Sequence, residues 1–556
     1  MRVAAVLMDI LRRSGVRYLF GNPGTTELAF LDALPDSGLE YVVALQEATA
    51  VAAADGYAQA SGGAGVVNVH VAPGVANGLS ILHNAARAKS PVVLTAGQQD
   101  TRFLMHDPIL SGDLVQLTEQ FTKWSYEVRR ADEAPAALRR ALKLALTPPT
   151  GPVFLSLPMD LMGATIEDGG DAAPVLAARV RPEADAIARA AALLASARTP
   201  LVVAGDGVAR AGAVRELVAL AELLGARVHG EPIFRRASFP GDHPLWRGGL
   251  FPSPAGVRKA LENADAVLVV GATVFTWFLH SPGAPFPRGV HVVQIDDDAR
   301  EIGRSHPVAL GMVADPRAAL AELAEAVGAR LGAEARDAAA ARVREIGRAR
   351  AEQARRVAEA ADAERDRVPI SQAFLMRTLA AVAPRDVVVV DESATSLPHV
   401  LRHLPFATPD SFFGSKTGTL GWGMGGALGV QLALPGRVVA ATIGDGSVMY
   451  APQALWTAAR YRLPVTYVVP NNASYAILKS GMLTLGLESA KRDLYPGMDL
   501  VDPEVDYLGL SRALGVRAER VDKPGDLGDV LRACLEHPGP ALVDVAVDRG
   551  FTAMGV

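Results

Sequence analysis

The sequence predicts an α/β protein made of three doubly wound, parallel-sheet domains. Two observations predict it. Strand-like apolar runs alternate with helix-like stretches along nearly the whole chain, the pattern of parallel sheets joined by crossover helices. A length of 556 residues also exceeds what one hydrophobic core organises, so the alternation must divide into about three units. The divisions are readable. The first block, 1–165, closes with Gly151-Pro152 and the strand-like run Val153 to Leu157. The polar stretch Glu167 to Asp171 reads as a linker. The second block, 182–331, holds the apolar runs Leu201 to Ala204, Ala266 to Val270 and Val290 to Ile295. The stretch 332–368 is rich in Ala, Glu and Arg and reads as a solvated helical connector. The third block, 369–556, resembles the first in size and texture, which suggests related folds.

Composition sets limits. Residues are 50% apolar and 21% charged, as in a soluble globular protein. A net charge of -5 gives no reason to expect nucleic acid or an anionic membrane as partner. Cys534 is the one cysteine, so no internal disulfide forms, and a reducing, cytoplasmic location is expected. Asp9 interrupts the apolar N-terminus, and Val6, Ile10 and Leu11 share one side of a helix there. That is an amphipathic helix rather than a signal peptide. No apolar run approaches a membrane span.

Polar groups gather at predicted strand ends. Phe20-Gly21-Asn22-Pro23-Gly24-Thr25 is a strand leading into a Gly-rich turn. Glu47 follows the run Tyr41 to Leu45 and precedes an Ala-rich helix, Ala48 to Ala60. Alone, it is a first-turn acid favoured by the helix dipole. His70 ends the run Val66 to Val69, before Pro73-Gly74. Three such groups after three successive strands converge on one sheet edge. In the third block, Val438 to Ile443 ends at Gly444-Asp445-Gly446. A helical stretch, Pro452 to Tyr461, follows, and the run Pro464 to Val469 delivers Asn471-Asn472. Asp445 and Asn472 therefore stand at the carboxyl ends of two strands joined by one crossover, where open parallel sheets bind ligands. A carboxylate, an amide oxygen and backbone carbonyls form a hard, all-oxygen set suited to Mg²⁺ or Ca²⁺. The flanking glycines would let the backbone approach a diphosphate. A rival reading exists: Gly421-Trp422-Gly423-Met424-Gly425-Gly426 fits the Gly-x-Gly-x-x-Gly of nicotinamide dehydrogenases, although Phe412 to Leu420 before it is a poor strand.

The spacing of Gly444-Asp445-Gly446 and Asn471-Asn472 resembles the diphosphate-anchoring motif of thiamine-diphosphate enzymes. More specific runs resemble the benzoylformate decarboxylase family: Gly21 to Glu27, Ala44 to Ala48, Ala54 to Ala58 and Thr95 to Gln99. The likeness returns at Trp124 to Glu127, Gly271-Ala272 with Val274-Phe275, Glu392-Ser393 and Ala454 to Ala459, and so covers nearly the whole chain. The metal motif is shared more widely, with acetolactate synthase and pyruvate decarboxylase.

The resemblance implies a thiamine-diphosphate- and Mg²⁺-dependent, non-oxidative decarboxylase of a 2-oxo acid, acting through a C2 ylid and an enamine to give an aldehyde. It implies three α/β domains, with the cofactor between the first domain of one subunit and the third of another. At least a homodimer, and by expectation a homotetramer, follows. Asp445, the Asn472 side chain and the Ser474 carbonyl would hold the metal. Glu47 would activate the aminopyrimidine, His70 would move protons, and Thr25 stands where the family has a serine. Thr395, Gly418, Gly446, Ser447, Tyr475 and Ala476 match cofactor contacts, and Leu420 matches the prop beneath the bent cofactor. Asn22, Gly24, Phe278, Leu478 and Gly481 would line the substrate pocket.

The pattern also departs from the family. Phe278 stands where the family has a second catalytic histidine, and His280, two positions on, is the candidate replacement. Lys479-Ser480-Gly481 replaces bulky aromatics, which suggests a larger or more polar substrate with Lys479 nearby. Carboligation of the acetolactate-synthase kind and carbon–carbon lysis share the same intermediate and remain alternatives. A non-catalytic subunit would be expected to lose Glu47 or Asp445, and both are present. FAD is not expected, since Ala204-Gly205-Asp206-Gly207 in the middle block is too little to support it.

Overall fold

A computed structural model describes residues 1–167 and 170–554 of the chain. Asp168 and Gly169, in the expected linker, and Gly555 and Val556 lie outside the described residues. Three six-stranded sheets form, every ladder parallel. The first contains β1 (Tyr18–Asn22), β2 (Glu40–Val43), β3 (Gly65–Val69), β4 (Val92–Gln98), β5 (Ser125–Glu127) and β6 (Val153–Pro158). The second contains β7 (Pro200–Ala204), β8 (Arg227–Gly230), β9 (Trp246–Gly249), β10 (Ala266–Val270), β11 (His291–Asp296) and β12 (Leu310–Val313). The third contains β13 (Val388–Glu392), β14 (Phe412–Gly414), β15 (Val439–Ile443), β16 (Val465–Asn471), β17 (Arg517–Val521) and β18 (Ala541–Ala546).

The strand orders repeat. The first sheet runs β2-β1-β3-β4-β6-β5 and the third β14-β13-β15-β16-β18-β17, the same order with twelve added to each strand number. The suggested kinship of the two blocks is thus a shared topology. The middle sheet, β12-β11-β10-β7-β8-β9, has the dinucleotide-fold order instead. Central strands such as β4, β7 and β15 are buried along their whole length, because helices cover both faces. Helix Val3–Arg13 buries Val6, Ile10 and Leu11, as its spacing predicts. The connector is one helix, Ala333–Asp362, with only Ala339 and Ala361 buried. Among the described residues, no helix is long and apolar enough to cross a membrane.

Two details differ from expectation. Glu47 is the first residue of its helix, Glu47–Ser61, not a residue ahead of it. The supposedly poor strand before the Gly-x-Gly-x-x-Gly run contains β14, a short edge strand paired with β13. Those glycines nonetheless have a packing reason. Helix Trp422–Ala433 crosses helix Glu47–Ser61 at van der Waals contact. A Cβ on Gly425 would stand 2.7 Å from Ala52 Cβ, one on Gly429 1.8 Å from the Ala53 carbonyl, and one on Gly56 2.3 Å from the Gly426 carbonyl. Trp422 Nε1 and Asn84 Nδ2 both donate to Asp55 Oδ2 at 2.8 Å, which sews the first and third domains together.

Candidate active site

In the first domain, the carboxyl ends of β1, β2 and β3 bring Asn22, Gly24, Glu47 and His70 into one group. Gln46 caps the helix by accepting from Thr49 N, so Glu47 falls in the first turn, near the positive end of the dipole. Glu47 is buried, and both of its oxygens are engaged. Asn22 Nδ2 donates to Oε1 at 3.0 Å and Asn77 Nδ2 to Oε2 at 2.9 Å. Two amides therefore fix the plane of this carboxylate.

Glu27 plays the same part for His70. It is 1% exposed and accepts from Gly24 N and Gly97 N at 2.8 Å and from the Thr26 hydroxyl at 2.7 Å. Its Oε2 lies 2.9 Å from His70 Nδ1, and Thr26 Oγ1 lies 3.0 Å from the same nitrogen. A carboxylate only accepts, so Nδ1 carries its hydrogen and Nε2 is the nitrogen that exchanges a proton. Gly24 must be glycine, because a Cβ there would sit 2.2 Å from the His70 ring. Thr25 is exposed on this edge.

In the third domain, β15 and β16 pair in parallel and end at Asp445 and Asn472. Asp445 opens the one-turn helix Asp445–Val448, and its Oδ1 accepts from Gly446 N at 2.8 Å. Among the described residues its Oδ2 is buried with no hydrogen-bond partner. Burial pushes the carboxyl up to about 6, while the amides of Gly446 and of Asn472 to Ser474 oppose the shift. Asn472 Oδ1 accepts from Ser474 N at 3.0 Å, and the Ser474 hydroxyl donates to the Met498 carbonyl at 2.9 Å. The loop is thereby curled around Asp445. Tyr475 and Ala476 follow it, and Ser447 is buried. Gly446 is glycine because Tyr475 covers it: a Cβ would meet the ring at 2.5 Å. This packing reason stands beside the expectation that the glycine opens the backbone to a diphosphate. Gly418 has φ +74 with open space around it, and Leu420 is half-buried beyond it.

Three of the ten described non-glycine residues with positive φ adjoin these groups. Val71, Ala394 and Ala473 have φ of 39, 42 and 49. They adjoin His70, Thr395 and the Asn472–Ser474 pair respectively. Non-glycine residues held in this region cluster at functional sites.

The remaining candidates divide. Leu478, 51% exposed, and Gly481 lie on helix Ala476–Thr484, directly after the Asn472 loop. Phe278, 59% exposed, and the exposed His280 lie in the middle domain, on the loop after β10. Lys479 is not offered to a substrate. It is 8% exposed, and its Nζ donates to Asp499 Oδ1 at 2.5 Å. In the middle domain, Asp206 is committed to Lys416 Nζ at 2.7 Å and to the amides of Arg235 and Arg236. Gly205 and Gly207 close directly on Gly271.

Sequence reasoning missed Glu27, Asn77 and Tyr507, whose hydroxyl donates to the Asp445 carbonyl at 2.8 Å. Glu27 had a signal, since it ends the Gly21–Glu27 run three residues after Gly24. Asn77 and Tyr507 sit inside helices and carry none.

Comparison with known proteins identifies the class. Residues 1–117, 187–323 and 394–545 match the N-terminal, central and C-terminal domains of thiamine pyrophosphate enzymes, the outer two being the thiamine-pyrophosphate-binding ones. The chain belongs to this enzyme family. It is 34% identical to benzoylformate decarboxylase of Pseudomonas aeruginosa over 97% of both chains. It is 31% identical to the solved thiamine diphosphate-dependent 4-hydroxybenzoylformate decarboxylase of Rhodococcus jostii, with a TM-score of 0.86 over 99% of this chain and 100% of that one. It is also 28% identical to the large subunit of acetolactate synthase isozyme 2 of Escherichia coli, over 99% of this chain and 96% of that one.

Proposed function

We propose that the protein is a divalent-metal-dependent decarboxylase of a 2-oxo acid that uses thiamine diphosphate. The observation that carries this reading is Asp445 Oδ2, a buried carboxylate oxygen without a partner beside the Asn472–Ser474 loop. Burying a charged oxygen unpaired is expensive, and a cation is the partner that removes the cost. Asp445, the Asn472 amide oxygen and the Ser474 carbonyl supply hard oxygens and leave room for phosphate oxygens, which suits Mg²⁺, with Ca²⁺ able to substitute. Among the described residues, no group of three or more His, Cys, Asp and Glu side chains is placed for a metal. A site of mixed side-chain and backbone oxygens therefore fits better than a cage of acids.

The bound cofactor supplies an electron sink for the carbanion left by loss of CO₂. The chain's residues do the rest. Glu47, its plane held by Asn22 and Asn77, presents a fixed carboxylate to the aminopyrimidine ring. His70, its Nδ1 held by Glu27, turns Nε2 toward the substrate edge, where it can give or take a proton. Thr395, Gly418, Leu420, Gly446, Ser447, Tyr475 and Ala476 shape the cofactor cradle. Asn22, Gly24, Thr25, Phe278, Leu478 and Gly481 line the substrate side, with His280 as the remaining candidate acid or base.

A second copy completes the site in this reading. One chain leaves Phe103, Met105, Ile109 and Leu110 of the first domain exposed, and Tyr450, Leu478 and Leu485 of the third. Apolar surface of this extent calls for a partner, and a homodimer that faces first domain to third covers it.

The test is a screen of 2-oxo acids with thiamine diphosphate and Mg²⁺, following CO₂ and all carbonyl products. One CO₂ and one aldehyde per acid is the expected result. Phe278, which offers no proton, favours a second reading, in which the reactive carbon meets a second carbonyl. A condensed hydroxy-ketone as the main product would establish that reading instead.

A further inference from the structure

We infer that the segment Phe551 to Met554 forms part of the substrate wall and limits the size of the 2-oxo acid side chain accepted, replacing the bulky residue that Gly481 lacks. The inference rests on the decarboxylase reading above. Two contacts seat the segment on helix Ala476–Thr484, and a third packs it on Tyr495 beyond the helix. Met554 Cε lies 3.6 Å from the position a Cβ on Gly481 would take. Met554 N donates to the Thr484 hydroxyl at 2.8 Å, which in turn donates to the Ser480 carbonyl at 2.7 Å. The Phe551 ring meets the Tyr495 ring edge-on at 5.1 Å.

Lys479 is the anchor. Its ammonium lies 5.4 Å from the Phe551 centroid and 5.5 Å from that of Tyr495, with Asp499 as counter-ion. A buried ammonium needs such partners, and an aromatic face provides one. Positions 479 and 481 therefore act together: the lysine fastens the segment, and the glycine makes room for its methionine. Leu478, one turn from Gly481, shares that flank of the helix. A methionine fills irregular space and repacks readily, so this wall yields where an aromatic would not. The apparent opening at Lys479-Ser480-Gly481 is closed by a segment distant in sequence.

The experiment uses the holoenzyme with Met554→Ala, and separately a chain ended after Gly550. Each is assayed against a graded series of straight-chain 2-oxo acids, with cofactor affinity measured alongside. The longer acids should gain in kcat/KM relative to the short by roughly tenfold or more, the range in which single methylenes are discriminated, with cofactor affinity unchanged. Gly481→Phe should disable the full chain yet restore the preference for short acids in the shortened one. A profile unchanged in both variants overturns the inference. A parent enzyme that decarboxylates none of the acids overturns the decarboxylase reading instead. The seating is then judged without activity: Gly481→Cys should resist a thiol reagent in the full chain and react in the shortened one, and equal reactivity in the two overturns it.

Discussion

The first and third domains share one strand order, and they complete the same sheet edge in opposite ways. His70 follows β3 and Asp445 follows β15, which occupy equivalent ranks in their sheets. His70 is enclosed by Glu27 and Thr26, and nearby Glu47 has an amide donor on each oxygen. Asp445 keeps one buried oxygen without a partner. The first domain is thus finished by the protein itself and holds its acid and base in fixed directions. The third leaves that oxygen unpaired, and in the reading proposed above a cation would complete it. Duplicated topology fixes where side chains point, and the local donor count fixes what each edge can do.

The largest effect should come from Asp445→Ala. If that edge awaits a cation, Mg²⁺-dependent affinity for thiamine diphosphate should fall by more than roughly 100-fold, since outer-sphere partners of a metal alone are worth 10–100-fold. Isothermal titration measures it, and unchanged affinity would erase the contrast between the domains. A second readout sharpens it. Asp445→Asn removes a charge that burial disfavours, so the metal-free variant should melt no lower than the metal-free parent, while Mg²⁺ should stabilise the parent alone.

Glu47→Gln comes next. The residue keeps its size and loses the charge that Asn22 and Asn77 orient. Turnover should drop by roughly 10²–10⁴-fold, the usual scale of a lost acid–base group, with cofactor affinity little changed. Equal losses in affinity and turnover would make Glu47 an anchor and align it with Asp445. Glu27→Gln should cost less. A glutamine amide must face at least one of the Gly24, Gly97, Thr26 or His70 donors, leaving a buried donor unpaired at about 1–3 kcal/mol. That is a cost to stability, and the loosened His70 should slow turnover by less than Glu47→Gln does. Cofactor titration unchanged beside the slower turnover would place Glu27 behind His70 as its positioning residue.

Much of this was legible in the sequence, for identifiable reasons. Buried parallel strands are continuous apolar runs, so β3, β10 and β15 could be placed nearly to the residue. The positions of Asp445, Asn472 and Glu47 followed, because strand ends are fixed once strands are. Contacts that join residues distant in the chain were not legible. Lys479 looked like part of a polar pocket because nothing local shows that Asp499, Tyr495 and Phe551 enclose it. Gly446 looked like room for a ligand alone, and nothing local shows that the ring of Tyr475 also packs against it. The run Gly421 to Gly426 fitted a dinucleotide fingerprint because close helix packing and close phosphate approach demand the same residue.

That last case yields the prediction with the smallest effect on turnover, and it tests whether the two like domains are held by like elements. Helix Glu47–Ser61 follows β2, and helix Trp422–Ala433 follows β14, the equivalent strand of the other sheet. The duplicated helices pack on each other, and both begin at the carboxyl edge that carries the site. A methyl group added at Gly429 would meet the Ala53 carbonyl and the Tyr57 amide, which are backbone and cannot swing aside. The helices must part instead, and overpacking of this kind costs roughly 1–3 kcal/mol or more. Gly436→Ala, where nothing lies within 4 Å, provides the control. Denaturant melts should show Gly429→Ala destabilised and Gly436→Ala close to the parent, with kcat of the surviving fold nearly unchanged because neither Glu47 nor Asp445 touches the crossing point. If Gly429→Ala melts with the control, the glycines are not there for packing, and the dinucleotide reading of that run must be reopened by direct titration with a nicotinamide cofactor.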